Sequence, residues 1–188
     1  MGLIQKLMSG KMRYLPPILY GLCIVGANWA IATFGVVPVG FGLVAPAGVY
    51  LAGFTFTFRN LTQLTLGRRW GFGAIIVGAL LSAVITDKVS LGGPLILAWA
   101  SGLTFLFSES LDALVWTKLR ERDWWTRAML LGDAAGQVLD SIIFLALAFG
   151  SLEFLFGQII GKWWTLLPAA LLMWFLRKRA TMRTEYSA

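Results

Sequence analysis

The sequence predicts an all-α integral membrane protein, a bundle of six transmembrane helices with both termini on the cytoplasmic side. Three observations predict this fold class. The chain of 188 residues is 58% hydrophobic and 13% charged, with a mean hydropathy of +0.76, which is more apolar surface than one water-soluble domain could bury. Its apolar residues form runs of helical spanning length. Its basic residues cluster between those runs.

Six apolar runs approach the roughly 17–25 residues that a spanning helix needs. A single six-helix domain over residues 1–188 is therefore expected. Its spans are predicted at about 15–34, 41–58, 71–86, 94–116, 128–149 and 158–176. The N-terminus is basic and then apolar, like a signal peptide, but no small-x-small cleavage pattern follows a short apolar core. The segment is interpreted as a retained first helix.

The distribution of Lys and Arg predicts the orientation. Of the 16 basic residues, all except Lys88 and Lys162 fall on the side that holds both termini. The positive-inside rule places that side in the cytoplasm. Trp163 and Trp164 flank the last span, as in an interfacial aromatic belt. Although the net charge is +7, short basic clusters between apolar runs suit anionic lipid headgroups, so no nucleic acid is expected as a partner.

The composition argues against an enzyme. The chain contains no His and a single Cys, Cys23, which lies in an apolar run, so neither a zinc site nor another metal centre is expected. No Walker loop is present, so the chain could not use ATP by itself. The segment Gly132–Gly136 is a poor substitute for the Gly-x-Gly-Asp pattern of intramembrane aspartyl proteases. No cofactor and no catalytic residue is predicted.

Polar residues inside the spans indicate a shared interior site. The fourth span contains Glu109 and Asp112, three residues apart. The fifth contains Asp133, Gln137 and Asp140, whose i, i+4, i+7 spacing makes one polar stripe. Each acid near the middle of a span costs roughly 2.5–3.5 kcal/mol on insertion scales. These side chains are therefore expected to line a polar cavity inside the bundle.

The predicted binding set combines polar groups with aromatic rings that could stack on a planar ligand. Glu109, about halfway along its span, is assigned to the ligand, and Asp112 to a supporting contact, for example with an arginine. Asp133 is expected nearer the cytoplasmic headgroups than Asp140. The predicted substrate-binding residues are Glu109, Asp140, Asn28, Gln137, Asp112, Trp29, Trp99 and Phe105, and the predicted gating groups or charge partners are Arg59, Asn60 and Asp133.

Three stretches carry a family resemblance: FTFRNLTQLTLGRR at Phe54–Arg69, ASGLTFLFSESLDALVWTKLR at Ala100–Arg120 and GQVLDSIIFLALAFG at Gly136–Gly150. They resemble the VUT family, also called the queuosine precursor transporters. The resemblance implies a small six-helix protein of the bacterial inner membrane that imports a 7-deazaguanine-type base. The family commonly has an acid where this chain has Asn60, and coupling would differ here if that acid carries a proton.

Two other functions remain open at this stage. The chain could be the substrate-binding subunit of an importer driven by a separate ATPase module, and copurification with ATPase subunits would favour that function. It could instead be a structural membrane protein in which Arg59 neutralises an acid and the other polar groups only hold helices together. Stabilisation by 7-deazaguanines would reject that alternative. The expected partners are lipid and a small-molecule base, while a homo-oligomer is left open.

Overall fold

The computed structural model describes residues 10–89, 95–121 and 125–185. These residues form six α helices and one β hairpin, so the all-α prediction holds for most of the described chain. After a short 3-10 helix at Gly10–Tyr14, the elements are α1 (Leu15–Phe34), β1 (Val36–Gly40), β2 (Leu43–Pro46), α2 (Val49–Leu66), α3 (Arg68–Val89), α4 (Leu95–Glu121), α5 (Trp125–Phe149) and α6 (Leu155–Glu185).

The β hairpin takes the place of the beginning of the predicted second span, 41–58. Its strands pair in antiparallel fashion, and α2 begins only at Val49. The reason is local, because Pro38 and Pro46 have no backbone N–H to donate to a helix and residues 40–42 take positive φ angles, which a right-handed helix excludes. The second helix is therefore displaced toward the C-terminus relative to the prediction.

Helix α2 is the central helix of the bundle. It contacts each of the other five helices. Among those five, α4 and α5 make the most extensive contact with each other. Polar side chains on several faces of α2 are consequently shielded from lipid. Arg59, Asn60 and Gln63 are all buried on this helix, which explains how so polar a segment can lie in a membrane protein.

Charged side chains lie inside the bundle and large apolar side chains lie on its outside. Arg59, Glu109, Asp112, Asp133 and Lys162 are each at most 1% exposed. The outward apolar residues include Ile18, Leu22 and Val25 on α1, Ile76, Val77 and Leu80 on α3, and Leu171, Leu172 and Trp174 on α6. This distribution is the reverse of that in a water-soluble protein and indicates a lipid environment.

Three stretches of the described chain are long and apolar enough to cross a membrane, namely Gly10–Phe34, Leu130–Phe149 and Leu155–Leu172. Helices α2, α3 and α4 are not among them, and each contains charged residues that lower its mean hydropathy. Together with the inside-out distribution of side chains, these stretches fit a multi-pass membrane protein. The six-span count and the cytoplasmic termini remain predictions.

The orientation can be tested with a reporter fused after Arg183. We expect a cytoplasmic signal, because the basic residues near both termini fall at one end of the predicted topology. Thr65 near the end of α2 donates to the backbone oxygen of Arg13 at 3.3 Å, so the basic N-terminal segment lies at that end. The same reporter inserted after Gly42 should give a periplasmic signal. A periplasmic signal from the Arg183 fusion would contradict an even number of spans.

Candidate small-molecule site

Arg59 on α2 joins two acids of α4 inside the bundle. Its Nε donates to Glu109 Oε2 at 3.0 Å, and its Nη2 is paired with Asp112. All three side chains are completely buried. The two acids lie about one turn apart on α4, so one guanidinium with its planar fork of donors can serve both. The sequence analysis counted Arg59 among the cytoplasmic cations and also named it as a charge partner for an acid; the structure places it inside α2, which continues to Leu66.

The next residue of α2, Asn60, contacts α5. Its Nδ2 donates to Asp133 Oδ1 at 2.5 Å, and the Asp133 side chain is fully buried. The Asp133 side chain therefore lies inside the bundle, and its expected depth nearer the cytoplasmic headgroups than Asp140 stays a prediction. Two atoms of this contact make no hydrogen bond, Asn60 Oδ1 and Asp133 Oδ2.

Lys162 on α6 forms a second ion pair, with Asp140 of α5. Its Nζ donates to Asp140 Oδ2 and to Ser141 Oγ at 2.8 Å. From α4, Ser108 Oγ donates to Asp140 Oδ1 at 3.2 Å. The sequence analysis missed this role of Lys162, which it treated as a cation at the start of the last helix.

Gln137 connects the two polar groups along α5. It lies about one helical turn from Asp133 on one side and from Asp140 on the other. The side chain is fully buried, and neither its oxygen nor its nitrogen has a hydrogen-bond partner. Gln137 therefore has a free donor and a free acceptor, and it lies between two charged groups. We call them the Arg59 cluster (Arg59, Glu109 and Asp112) and the Lys162 pair (Lys162 and Asp140).

A cavity lies beside Asp140, toward the hairpin. Its volume is about 50 Å³, well below the roughly 300–1,000 Å³ of small-molecule pockets, so the side chains around it must move apart to admit a ligand. Every helix contributes to its lining, together with Pro46 at the end of β2. The lining includes Asn28, Ser82, Thr104, Asp140 and Gln158 as polar residues, and Phe105 and Phe144 as aromatic ones.

Three residues predicted to bind substrate line this cavity, namely Asn28, Asp140 and Phe105. Asn28 Nδ2 donates to Ser82 Oγ at 3.5 Å across the cavity wall. Thr104, which the sequence analysis did not select, also lines the cavity and has a buried hydroxyl without a hydrogen-bond partner. The cavity thus has one carboxylate, amide and hydroxyl groups, and two aromatic side chains.

Other predicted residues lie elsewhere. Glu109 and Asp112 are not part of the cavity lining and are occupied by Arg59. Trp29 requires a correction, because it is 54% exposed and packs edge-on against Phe34. Adjacent helical residues point about 100° apart, so turning Asn28 into the cavity turns Trp29 away from it. The side chain of Trp99 lies outside the described residues.

Glycines on α5 bring α4 close enough for these contacts. A Cβ added at Gly136 would lie 2.6 Å from Phe56 Cε1 and 2.8 Å from Asp112 Cβ. Gly132, four residues earlier, packs against Asp112 in the same way. This small-xxx-small spacing is a common means of close helix approach in membranes. The acids of α4 and α5 can therefore share one interior.

Replacing Gly136 with alanine is expected to lower the unfolding temperature, because the extra methyl group overpacks the contact between α4, α5 and Phe56. Overpacking of this kind costs typically about 1–3 kcal/mol. Gly73→Ala is a matched control, since nothing lies within 4 Å of a Cβ at that position and alanine is the better helix former. Thermal unfolding in detergent measures both variants. Equal unfolding temperatures for the two would contradict close packing at Gly136.

The described helices, with apolar side chains outside and a polar cavity between them, fit the class of multi-pass membrane transporters. Residues 88–177 match the family described as "putative vitamin uptake transporter". This match, over just under half of the chain, supports the VUT family predicted from the sequence. The matched residues include all four buried acids and Lys162. Neither the curated proteins nor the solved structures include a significant match.

Proposed function

We propose that the chain imports a 7-deazaguanine-type base, a precursor of queuosine, across the bacterial inner membrane. The observation that carries the proposal is the cavity beside Asp140, to which all six helices contribute lining residues. A site formed by every helix can open toward either side when the helices shift against one another. The family match supports uptake of a small molecule, and the choice of base rests on the sequence resemblance together with the chemistry of the cavity.

The cavity groups suit the edge and the faces of such a base. A guanine-like edge presents adjacent N–H donors, and an ionised carboxylate such as that of Asp140 accepts two of them. Asn28 and Gln158 are amides that can both donate and accept, so they suit the carbonyl oxygen and the ring nitrogens. Phe105 and Phe144 supply apolar faces for a flat bicyclic ring. In this proposal Asp140 takes the ligand role that the sequence analysis gave to Glu109.

Ligand-dependent thermal stabilisation tests the proposal directly. The purified protein should unfold at a higher temperature with a 7-deazaguanine base than with adenine, which lacks the guanine edge. A ligand at 100 times its Kd stabilises the folded state by about 2.7 kcal/mol. Failure of every 7-deazaguanine base to stabilise the protein would reject the substrate.

Uptake into proteoliposomes that contain only this chain distinguishes a self-sufficient transporter from a binding subunit. We expect accumulation of a radiolabelled base without ATP, because the chain contains no Walker loop. Uptake that appears only when an ATPase module is added would replace the present proposal with the ATP-driven alternative.

A further inference from the structure

The four buried acids of the bundle are not equally neutralised. Arg59 is paired with Glu109 and Asp112, and Lys162 is paired with Asp140. Asp133 forms no ion pair with any described side chain, and its contact is the neutral amide of Asn60. Among the described side chains, four buried carboxylates stand against two buried cations, so this part of the interior carries excess negative charge unless protons or a bound cation compensate it.

The Asn60–Asp133 contact leaves two buried acceptor atoms without a hydrogen bond, and one added proton would give both of them a partner. Asn60 Nδ2 donates to Asp133 Oδ1, while Asn60 Oδ1 and Asp133 Oδ2 are both buried without a partner. Both of these atoms are acceptors when Asp133 is ionised, so they cannot bond to each other. A proton on Asp133 Oδ2 would give that oxygen a hydrogen to donate, and the acceptor of the same amide would receive it. One proton would thus give partners to two buried atoms.

We propose that Asp133 is the proton-binding site of this transporter and that Asn60 is its positioning residue, so that import is coupled to proton movement. This inference rests on the proposed transport function. Asp133, Gln137 and Asp140 lie on one stripe of α5, and the Gln137 side chain, which makes no hydrogen bond, lies between the proton site and the ligand carboxylate. The described ionisable side chains whose charges act on Asp133 are Arg59 of α2 and Glu109 of α4, and Asp112 of α4 lies against the neighbouring Gly132.

Loss of the proton from Asp133 would leave a buried carboxylate near Arg59 that forms no ion pair with any described side chain. Arg59 is adjacent to Asn60 in sequence, and Gly132, adjacent to Asp133, packs against Asp112. Deprotonation would therefore favour a rearrangement in which Arg59 moves toward Asp133 and releases an acid of α4. In this scheme the charge of Asp133 is neutralised either by a proton or by Arg59, and one excludes the other. Two mutually exclusive states of this kind can couple proton binding to the rearrangement of the bundle.

The first experiment detects the proton without any substrate. Infrared difference spectra of the protein in lipid, recorded as the pH is changed, should contain the C=O stretching band of a protonated carboxyl group. We expect that band to be lost in Asp133→Asn and kept in Glu153→Gln, whose side chain is exposed in the loop after α5. A band that persists unchanged in Asp133→Asn would overturn the assignment to Asp133.

The second experiment measures coupling in proteoliposomes, as the ratio of uptake driven by a pH gradient to exchange of base at equal pH. The wild-type ratio should rise with an inward proton gradient, Asp133→Asn should lose the rise, and Asp133→Glu should recover part of it. Wild-type exchange without any response to the gradient would overturn proton coupling while leaving the transport function standing. Absence of both exchange and ligand stabilisation would reject the transport function, and the inference with it.

Discussion

Replacing Arg59 with methionine is expected to prevent most of the protein from folding. The change leaves Glu109 and Asp112 buried without their shared cation, and breaking a buried ion pair from one side costs about 3–5 kcal/mol. That is a large fraction of the roughly 5–15 kcal/mol by which proteins are stable. Size-exclusion profiles of detergent extracts measure the folded yield. Arg69→Met is the matched control, because Arg69 is exposed at the start of α3.

A combined variant separates a role of the Arg59 cluster in folding from a role in transport. Replacing Arg59, Glu109 and Asp112 together by methionine and leucines removes all three charges at once, and buried ion clusters tolerate such replacement by apolar residues. We expect the combined variant to recover folded yield and to remain inactive in uptake. A folded and fully active combined variant would show that the cluster only holds the helices together.

The second large effect is expected from Asp140→Asn, which should weaken binding of a 7-deazaguanine base. Asparagine keeps the shape and one acceptor but loses the charge, and hydrogen bonds to charged groups contribute about 1.5–3 kcal/mol. Affinity should therefore fall by about ten- to a hundredfold. Titration calorimetry on the purified protein measures the change.

Comparison with Glu109→Gln decides which carboxylate contacts the ligand. Glu109 lies in the Arg59 pair and outside the cavity lining, so its change should affect folding more than affinity. Asp140→Asn also leaves Lys162 without an anion, and the double variant Asp140→Asn with Lys162→Met controls for that unpaired charge. A larger loss of affinity in Glu109→Gln than in Asp140→Asn would return the ligand role to Glu109.

The helices could be predicted from the sequence, whereas the hairpin was missed. The apolar run from Phe41 to Phe58 is continuous, and continuous hydrophobicity does not by itself distinguish a buried helix from short strands. The signal that could have distinguished them is the set of turn-forming residues between β-branched valines, namely Pro38, Gly40, Gly42 and Pro46. Such spacing is typical of a tight turn between two strands.

The polar interior could be predicted in part. The stripe at Asp133, Gln137 and Asp140 follows from helical periodicity, and the structure buries all three residues. Lys162 was missed because Trp163 and Trp164 follow it, which is typical of an interfacial position. Yet Gln158, Lys162 and Thr165 repeat the same i, i+4, i+7 spacing and are all buried.

Aromatic placement on α1 could not be predicted. This helix is apolar on nearly every side, so its sequence does not fix the rotation about its own axis. Asn28 is its one strongly polar side chain, and turning that residue inward decides where Trp29 faces. Tertiary contacts, rather than local pattern, place the remaining side chains.

The contacts of α6 with the hairpin link the residues at the cavity to an exposed segment of the protein. Trp164 Nε1 donates to the backbone oxygen of Val39 at 2.9 Å, and its ring stacks with Phe41, which is 80% exposed at the hairpin tip. Lys162, which pairs with Asp140 at the cavity, is only two residues away on the same helix. We therefore expect a ligand that displaces Lys162 to move Trp164 and, through its contacts, the hairpin. If the hairpin faces outward as the topology predicts, we expect an antibody raised against it to bind loaded and empty protein differently.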